Sequence, residues 1–120
     1  MSYKSYHDLV ADAKTRIPEV TAEETMQLLR GHGRAVLIDC REPNEFNLGR
    51  IPGALLIPRG VLEQNIEAAA SRDTKVILYC ASGNRSALAA VVLREMGYTD
   101  VASMDRGFRG WVEAGGEVEE

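Results

Sequence analysis

Val76-Ile77-Leu78-Tyr79-Cys80-Ala81-Ser82-Gly83-Asn84-Arg85-Ser86 is the stretch from which the rest of the chain can be ordered. Its first four residues are an apolar run without alternation, which suits a strand covered on both faces in a parallel sheet between helices. A helical stretch at about 85–96 follows, apolar on several sides (Ala87, Leu88, Ala90, Val91, Leu93 and Met96) and stopped by Gly97 as a C′ residue. Between strand and helix stand small or turn-tolerant residues. A cysteine in that place lies at the carboxyl end of the sheet and faces the positive end of a helix dipole.

Working outward, Ala35-Val36-Leu37-Ile38 has the same unbroken apolar character, and Ala54–Ile57 and Val101–Met104 are weaker strand candidates. Ile17-Pro18-Glu19-Val20 reads as extended, because a residue before proline avoids the helical region. Thr21 is placed to cap a helix, with Glu24 completing a capping box, Met26, Leu28 and Leu29 as its apolar side and Gly31 at its end. A further helix is expected at about 61–71, with Ser71-Arg72-Asp73 as the turn into the next strand. Residues 5–16 carry a weak helical pattern. Strands alternating with helices imply an α/β domain with a central, mainly parallel five-stranded sheet flanked by helices. Residues 1–16 are expected to form a helical N-terminal extension, and residues 17–120 the domain itself.

The chain has 120 residues, enough for one core and too few for two. Its hydrophobic fraction of 45% is ordinary, and its formal charge of −4 comes without a basic stripe. Nucleic acid and anionic membrane surfaces are therefore not expected as partners. No apolar run reaches the ~18 residues needed to cross a bilayer. The start of the chain lacks the basic and apolar regions of a secretory signal. A cytoplasmic location is expected, in which Cys40 and Cys80 rest as thiols. His7 and His32 have no companions at metal-ligand spacing, and there is no nucleotide-binding motif, so neither a metal nor an organic cofactor is expected.

The chemistry points to Cys80. A thiol has a pKa near ~8.5, but at a helix N-terminus or beside a cation it falls to ~3.5–7.5. Ala81, Ser82, Gly83 and Asn84 permit a tight loop whose N–H groups converge on one point. Arg85 can add positive charge, and the Ser82 and Ser86 hydroxyls can donate hydrogen bonds. The same cradle would hold an oxyanion such as thiosulfate, sulfate or phosphate. The competing reading is a small packed hydrophobe at the end of a buried strand.

Three segments together resemble the rhodanese-like family, over about Val20 to Glu117. Leu37-Ile38-Asp39-Cys40-Arg41-Glu42 through Gly49-Arg50-Ile51-Pro52-Gly53-Ala54 is similar to the family's first signature, Cys80–Ser86 to its active-site loop, and Gly107-Phe108-Arg109-Gly110-Trp111 to its closing signature. The resemblance implies a parallel sheet between helices and a sulfurtransferase. In that activity Cys80 takes the outer sulfur of a donor such as thiosulfate as a persulfide. The N–H groups of residues 81–86 hold that sulfur until a thiophilic acceptor, cyanide or a thiol, removes it. Arg41 and Arg59, each after an apolar run, are candidates for the mouth of the pocket. The family pattern favours a buried ionic network of Asp39, Arg41 and Glu45, and Trp111 and Phe108 read as core anchors of the last helix rather than a stacking platform for bases. Arg50 departs from the family's usual histidine, at a supporting turn. Cys40 stands where an aliphatic residue is common. It reads either as a buried substitute for valine or as a second thiol that resolves a Cys80 persulfide.

Two other functions compete. One is a rhodanese-like interaction module with a vestigial loop, which the intact cysteine and arginine speak against. The other is phosphatase or arsenate-reductase-like chemistry. Four residues separate Cys80 from Arg85, one fewer than in the phosphatases of this fold class, and the position an arginine would take holds Ser86. The Glu117–Glu120 tail is expected to fray.

Overall fold

In the computed structural model, which describes residues 2–31 and 34–120, the apolar runs around Val36 and Val76 lie side by side at the centre of one sheet. The chain runs α1 (Tyr6–Arg16), β1 (Glu19–Val20), α2 (Ala22–Arg30), β2 (Val36–Asp39), α3 (Pro43–Leu48) and β3 (Leu55–Leu56). A 3₁₀ turn (Arg59–Val61) then leads through α4 (Leu62–Ala69), β4 (Val76–Tyr79), α5 (Asn84–Glu95) and β5 (Val101–Met104) to α6 (Gly107–Glu113). The strand order is β1-β5-β4-β2-β3, and every pairing is parallel. This is the α/β architecture expected, a five-stranded parallel sheet with helices on both faces.

The register of β2 and β4 sorts side chains between two cores, because successive residues of a strand point to opposite faces. Ile38, Cys40, Val76, Leu78 and Cys80 join Leu62 and Ile66 of α4, Ala87, Ala90 and Leu93 of α5 and Ala13 of α1. Leu37, Ile77 and Tyr79 join Ala22 of α2, Trp111 of α6, Ile51 and Met104. Burying each large aliphatic side chain contributes about 1.5–3 kcal/mol, which is why these unbroken runs dictate the sheet. Tyr79 accepts a hydrogen bond at its phenol from the Ile51 N–H at 3.2 Å, so its buried hydroxyl is satisfied.

Residues 6–16 form α1, opened by a capping box in which Ser5 and Asp8 exchange hydrogen bonds at 3.0 Å. Val10, Ala13 and Ile17 are buried as this helix packs on α5. Thr21 and Glu24 form the expected capping box of α2, and Gly31 ends it.

The differences from expectation are instructive. Met26 and Leu28 pack on the core as expected, but Leu29 is 40% exposed, and the fully buried residues of α2 are Ala22 and Thr25; the Thr25 hydroxyl is satisfied by the Thr21 carbonyl at 2.9 Å. Helix α3 has no apolar periodicity and was not expected; Pro43 at its start and the Glu42–Glu45 capping box set it. The helix expected at 61–71 is shorter, with a 3₁₀ turn before it. Strand β2 includes the charged Asp39, because Asp39 has a buried partner. The tail does not fray at Glu117–Glu119. Arg50 and Glu119 exchange backbone hydrogen bonds at 3.0 and 2.9 Å, and the Trp111 indole donates to the Glu117 carbonyl at 2.7 Å. A terminus tied by backbone pairing is ordered irrespective of its composition. His7 is exposed, and His32 lies outside the described residues. Among the described residues no helix is long and apolar enough to cross a membrane, and no cluster could hold a metal.

Candidate active site

Cys80 leaves the central strand β4 and meets the N-terminus of α5, the twelve-residue helix that begins at Asn84. The chain makes this turn through Gly83, whose φ of 95° is a left-handed conformation that side chains rarely adopt. The turn brings the Gly83 N–H to 3.2 Å and the Ser86 N–H to 3.4 Å of Cys80 Sγ. The Cys80 thiol lies 3.6 Å from Ser86 Oγ, which shares a 2.7 Å hydrogen bond with Ser103 Oγ on β5. A hydroxyl can donate as well as accept, so Ser86 can turn its proton toward an ionised sulfur.

Two effects oppose each other at this thiol. Burial works against the charged form, and hydrogen bonds from the Ser86 hydroxyl and from the Ser86, Ser82 and Gly83 N–H groups outweigh it. The net result is a thiol held below its ordinary value. Cys80 is 0% exposed, at the floor of the loop. The loop is fastened from behind by α6: the Phe108 N–H donates to the Cys80 carbonyl at 2.7 Å, and the Arg109 N–H to the Ala81 carbonyl at 3.1 Å. Gly107 makes this approach possible, since a Cβ there would collide with the Cys80 carbonyl.

The residues singled out in the sequence are distributed unevenly about this centre. Gly83 and Ser86 are buried at the sulfur, Ala81, Asn84 and Arg85 are half-buried around it, and Ser82 is exposed. Arg85 sends its guanidinium to Glu45, with bonds of 2.8 and 3.0 Å to the two carboxylate oxygens. Arg41 is 5% exposed and turned to Asp39, with contacts of 2.7 to 3.1 Å, and to the Gly49 carbonyl at 2.7 Å. It also lies 4.5 Å from the Phe108 ring centroid, a cation–π contact. Its hydrogen bonds run to Asp39 and Gly49 rather than to the loop. The expected three-residue network is thus divided: Asp39 holds Arg41, and Glu45 holds Arg85. Arg59 is half-buried, makes no ion pair among the described residues, and donates its N–H to the Cys40 carbonyl at 3.1 Å. Of the two expected anchors, Trp111 is buried in the core while Phe108 is half-buried beneath Arg41.

Ser103 was not singled out in the sequence. A hydroxyl inside the fully buried β5 must find a partner, which was the available signal. The partner's identity depends on β5 lying next to β4.

The Glu45–Arg85 pair has a measurable pH signature. The Arg85 hydrogen bonds lower the Glu45 carboxyl from 4.5 to about 2, against a smaller effect of burial and with help from the Glu42 N–H. A carboxyl depressed by folding stabilises the fold above its unfolded pKa, and that contribution disappears as pH falls through the folded value. Acid titration of unfolding free energy should therefore show a decline between about pH 4.5 and about pH 2 that is shallower in Glu45→Gln. Equal slopes in the two proteins would mean that the pair does not persist in solution.

The description "Rhodanese-like domain" belongs to the family model that matches residues 21–114. The uncharacterized Bacillus subtilis protein YqhL is 40% identical over 103 residues, covering 86% of this chain and 77% of YqhL. The probable adenylyltransferase/sulfurtransferase MoeZ of Mycobacterium tuberculosis is 28% identical over 94% of this chain, which spans 30% of MoeZ. Among solved structures, a Rhodopseudomonas palustris protein of unknown function, described as a possible tyrosine phosphatase, superposes with a TM-score of 0.88 at 34% identity, covering 99% of this chain and 97% of that one. The human single-domain sulfurtransferase TSTD1 superposes with a TM-score of 0.72 at 31% identity, covering 80% of this chain and 96% of TSTD1.

Proposed function

We propose that this chain, which belongs to the rhodanese-like family, moves sulfane sulfur from a donor such as thiosulfate to a thiophilic acceptor through a persulfide on Cys80. The observation that carries this reading is the convergence of the Gly83 and Ser86 N–H groups on a thiol already held below its ordinary value. Donors aimed at one sulfur stabilise a thiolate and equally a terminal persulfide anion.

In the first half-reaction the Cys80 thiolate attacks the outer sulfur of thiosulfate. A sulfur–sulfur bond forms to Cys80, the bond to the sulfite sulfur breaks, and its electron pair leaves with sulfite. In the second, cyanide or a thiolate attacks the outer sulfur and Cys80 departs as thiolate. Splitting one transfer in this way lowers each barrier. Because Cys80 is covered, donor entry requires the loop to yield around it. Arg59, with no ion pair among the described residues, supplies the positive charge that would attract an anionic donor, whereas the charge of Arg85 is balanced by Glu45. The phosphatase reading is the weaker one, because the guanidinium of Arg85 is already engaged by a carboxylate and Ser86 follows it.

Intact mass after incubation with thiosulfate tests the proposal. The protein should gain one sulfur atom, localised to Cys80, and lose it on addition of cyanide. No gain by a protein whose Cys80 is shown to be reduced and accessible would overturn the persulfide reading.

A further inference from the structure

Cys40 is a second thiol, and the register of the sheet sets it beside Cys80. Asp39 pairs with Tyr79, and the ladder continues one step further, with the Cys40 N–H donating to the Tyr79 carbonyl at 2.9 Å. Cys40 and Cys80 are therefore lateral neighbours at the carboxyl ends of adjacent parallel strands. Such strands lie ~4.8 Å apart, inside the ~4.4–6.8 Å Cα separation that a disulfide spans. Both side chains point to the same face of the sheet, into the same core. Both are 0% exposed, so the thiol that faces Cys40 inside the fold is that of Cys80.

The strand order adds a direction. Ser86 and Ser103 lie toward β5, whereas Cys40 lies after β2, on the other side of β4. The hydroxyl pair and the thiol therefore approach Cys80 from opposite neighbours. Cys40 now rests by donating its S–H to the Tyr79 carbonyl at 3.3 Å.

We propose that Cys40 is a resolving thiol, which discharges the Cys80 persulfide as hydrogen sulfide when no outside acceptor removes the sulfur. This rests on the persulfide reading above. Cys40 Sγ attacks the inner sulfur, Cys80 Sγ. The Cys40–Cys80 bond forms and the bond between Cys80 Sγ and the outer sulfur breaks. The electron pair leaves with that sulfur, which takes the Cys40 proton to depart as HS⁻, the conjugate base of H₂S. No outside oxidant is consumed, because the outer sulfur is the group reduced. Two equivalents of an external thiol then restore both cysteines.

Burial first, and then the neighbouring Cys80 and Asp39 charges, hold the Cys40 thiol above its ordinary value, against a smaller opposing pull from Arg85 and Arg59. A thiol kept protonated attacks slowly, so an acceptor that reaches the persulfide first takes the sulfur. Discharge is the slower route, used when none comes.

The test is a time course on the full chain without oxygen: one equivalent of thiosulfate, then removal of the donor with no acceptor added. The wild type should first gain one sulfur atom, then convert to a species two hydrogen atoms lighter than the reduced protein while releasing H₂S. A non-reducing peptide map should link Cys40 to Cys80, and a thiol reductant should reverse the link. Cys40→Ala should keep its added sulfur at least about tenfold longer and form no link. If both proteins gain sulfur and hold it equally long, Cys40 is a packing residue and the inference falls alone. Failure of both proteins to gain sulfur overturns the persulfide reading, and the inference with it. The peptide map of the wild type decides the matter even if Cys40→Ala folds poorly.

Discussion

Cys80→Ser should take up no sulfur from thiosulfate, with turnover falling by at least about a thousandfold, while the protein keeps its fold. The reason is the difference between the two elements. A hydroxyl is not ionised near neutral pH, and four hydrogen-bond donors cannot lower it enough, whereas the same donors bring a thiol within range. The fold should survive, because a hydroxyl in that place still accepts from the Gly83 and Ser86 N–H groups and still donates to Ser86 Oγ. A stability change below about 1 kcal/mol is expected, as for other near-isosteric substitutions with retained partners. Mass measurement and thermal unfolding on the same preparation check both halves. Sulfur uptake by the variant would move the carrier away from Cys80.

Asp39→Ala should be the most destabilising single change near the site, at about 3–5 kcal/mol. Asp39 is 0% exposed and accepts from the Arg41 N–H at 2.9 Å, from Nε at 3.0 and 3.1 Å and from Nη2 at 2.7 Å. Its removal strands a guanidinium with one carbonyl, that of Gly49, and an aromatic face. For a chain of this size the loss corresponds to a melting temperature lower by on the order of 10–20 °C. The double variant Asp39→Leu with Arg41→Met should recover most of it, since an apolar pair of similar volume carries no desolvation cost. Urea unfolding of the single and double variants measures the difference. A loss under about 1 kcal/mol for Asp39→Ala would put the pair in the class of solvated surface bridges.

The accuracy of the strand reading has a simple cause. Val76–Tyr79 is apolar without interruption, Val101–Met104 is apolar but for Ser103, and both are buried along their full length, so local pattern and tertiary environment agree. The α2 capping box was legible for the same reason: Thr21 and Glu24 act within one turn of backbone. Where local pattern was silent, the reading failed. Helix α3 is polar and short and is held by its proline and its Glu42–Glu45 box, neither accompanied by an apolar stripe. Composition alone made the C-terminal tail look solvated, whereas its order comes from Arg50, which lies far away in sequence.

The same division runs through the site. Cys80, the turn at Gly83 and the start of α5 are consecutive in sequence, and the periodicities and propensities that arrange them act over a few residues. The amino-acid sequence by itself therefore determined that a cysteine ends a buried strand and faces a helix N-terminus. Tertiary structure decided its company: Ser103 behind Ser86, Glu45 on Arg85, and Cys40 across from Cys80. Those partners come from separate segments, and strand order and register bring them together. Packing the whole core selects both, and no local stretch of sequence encodes them.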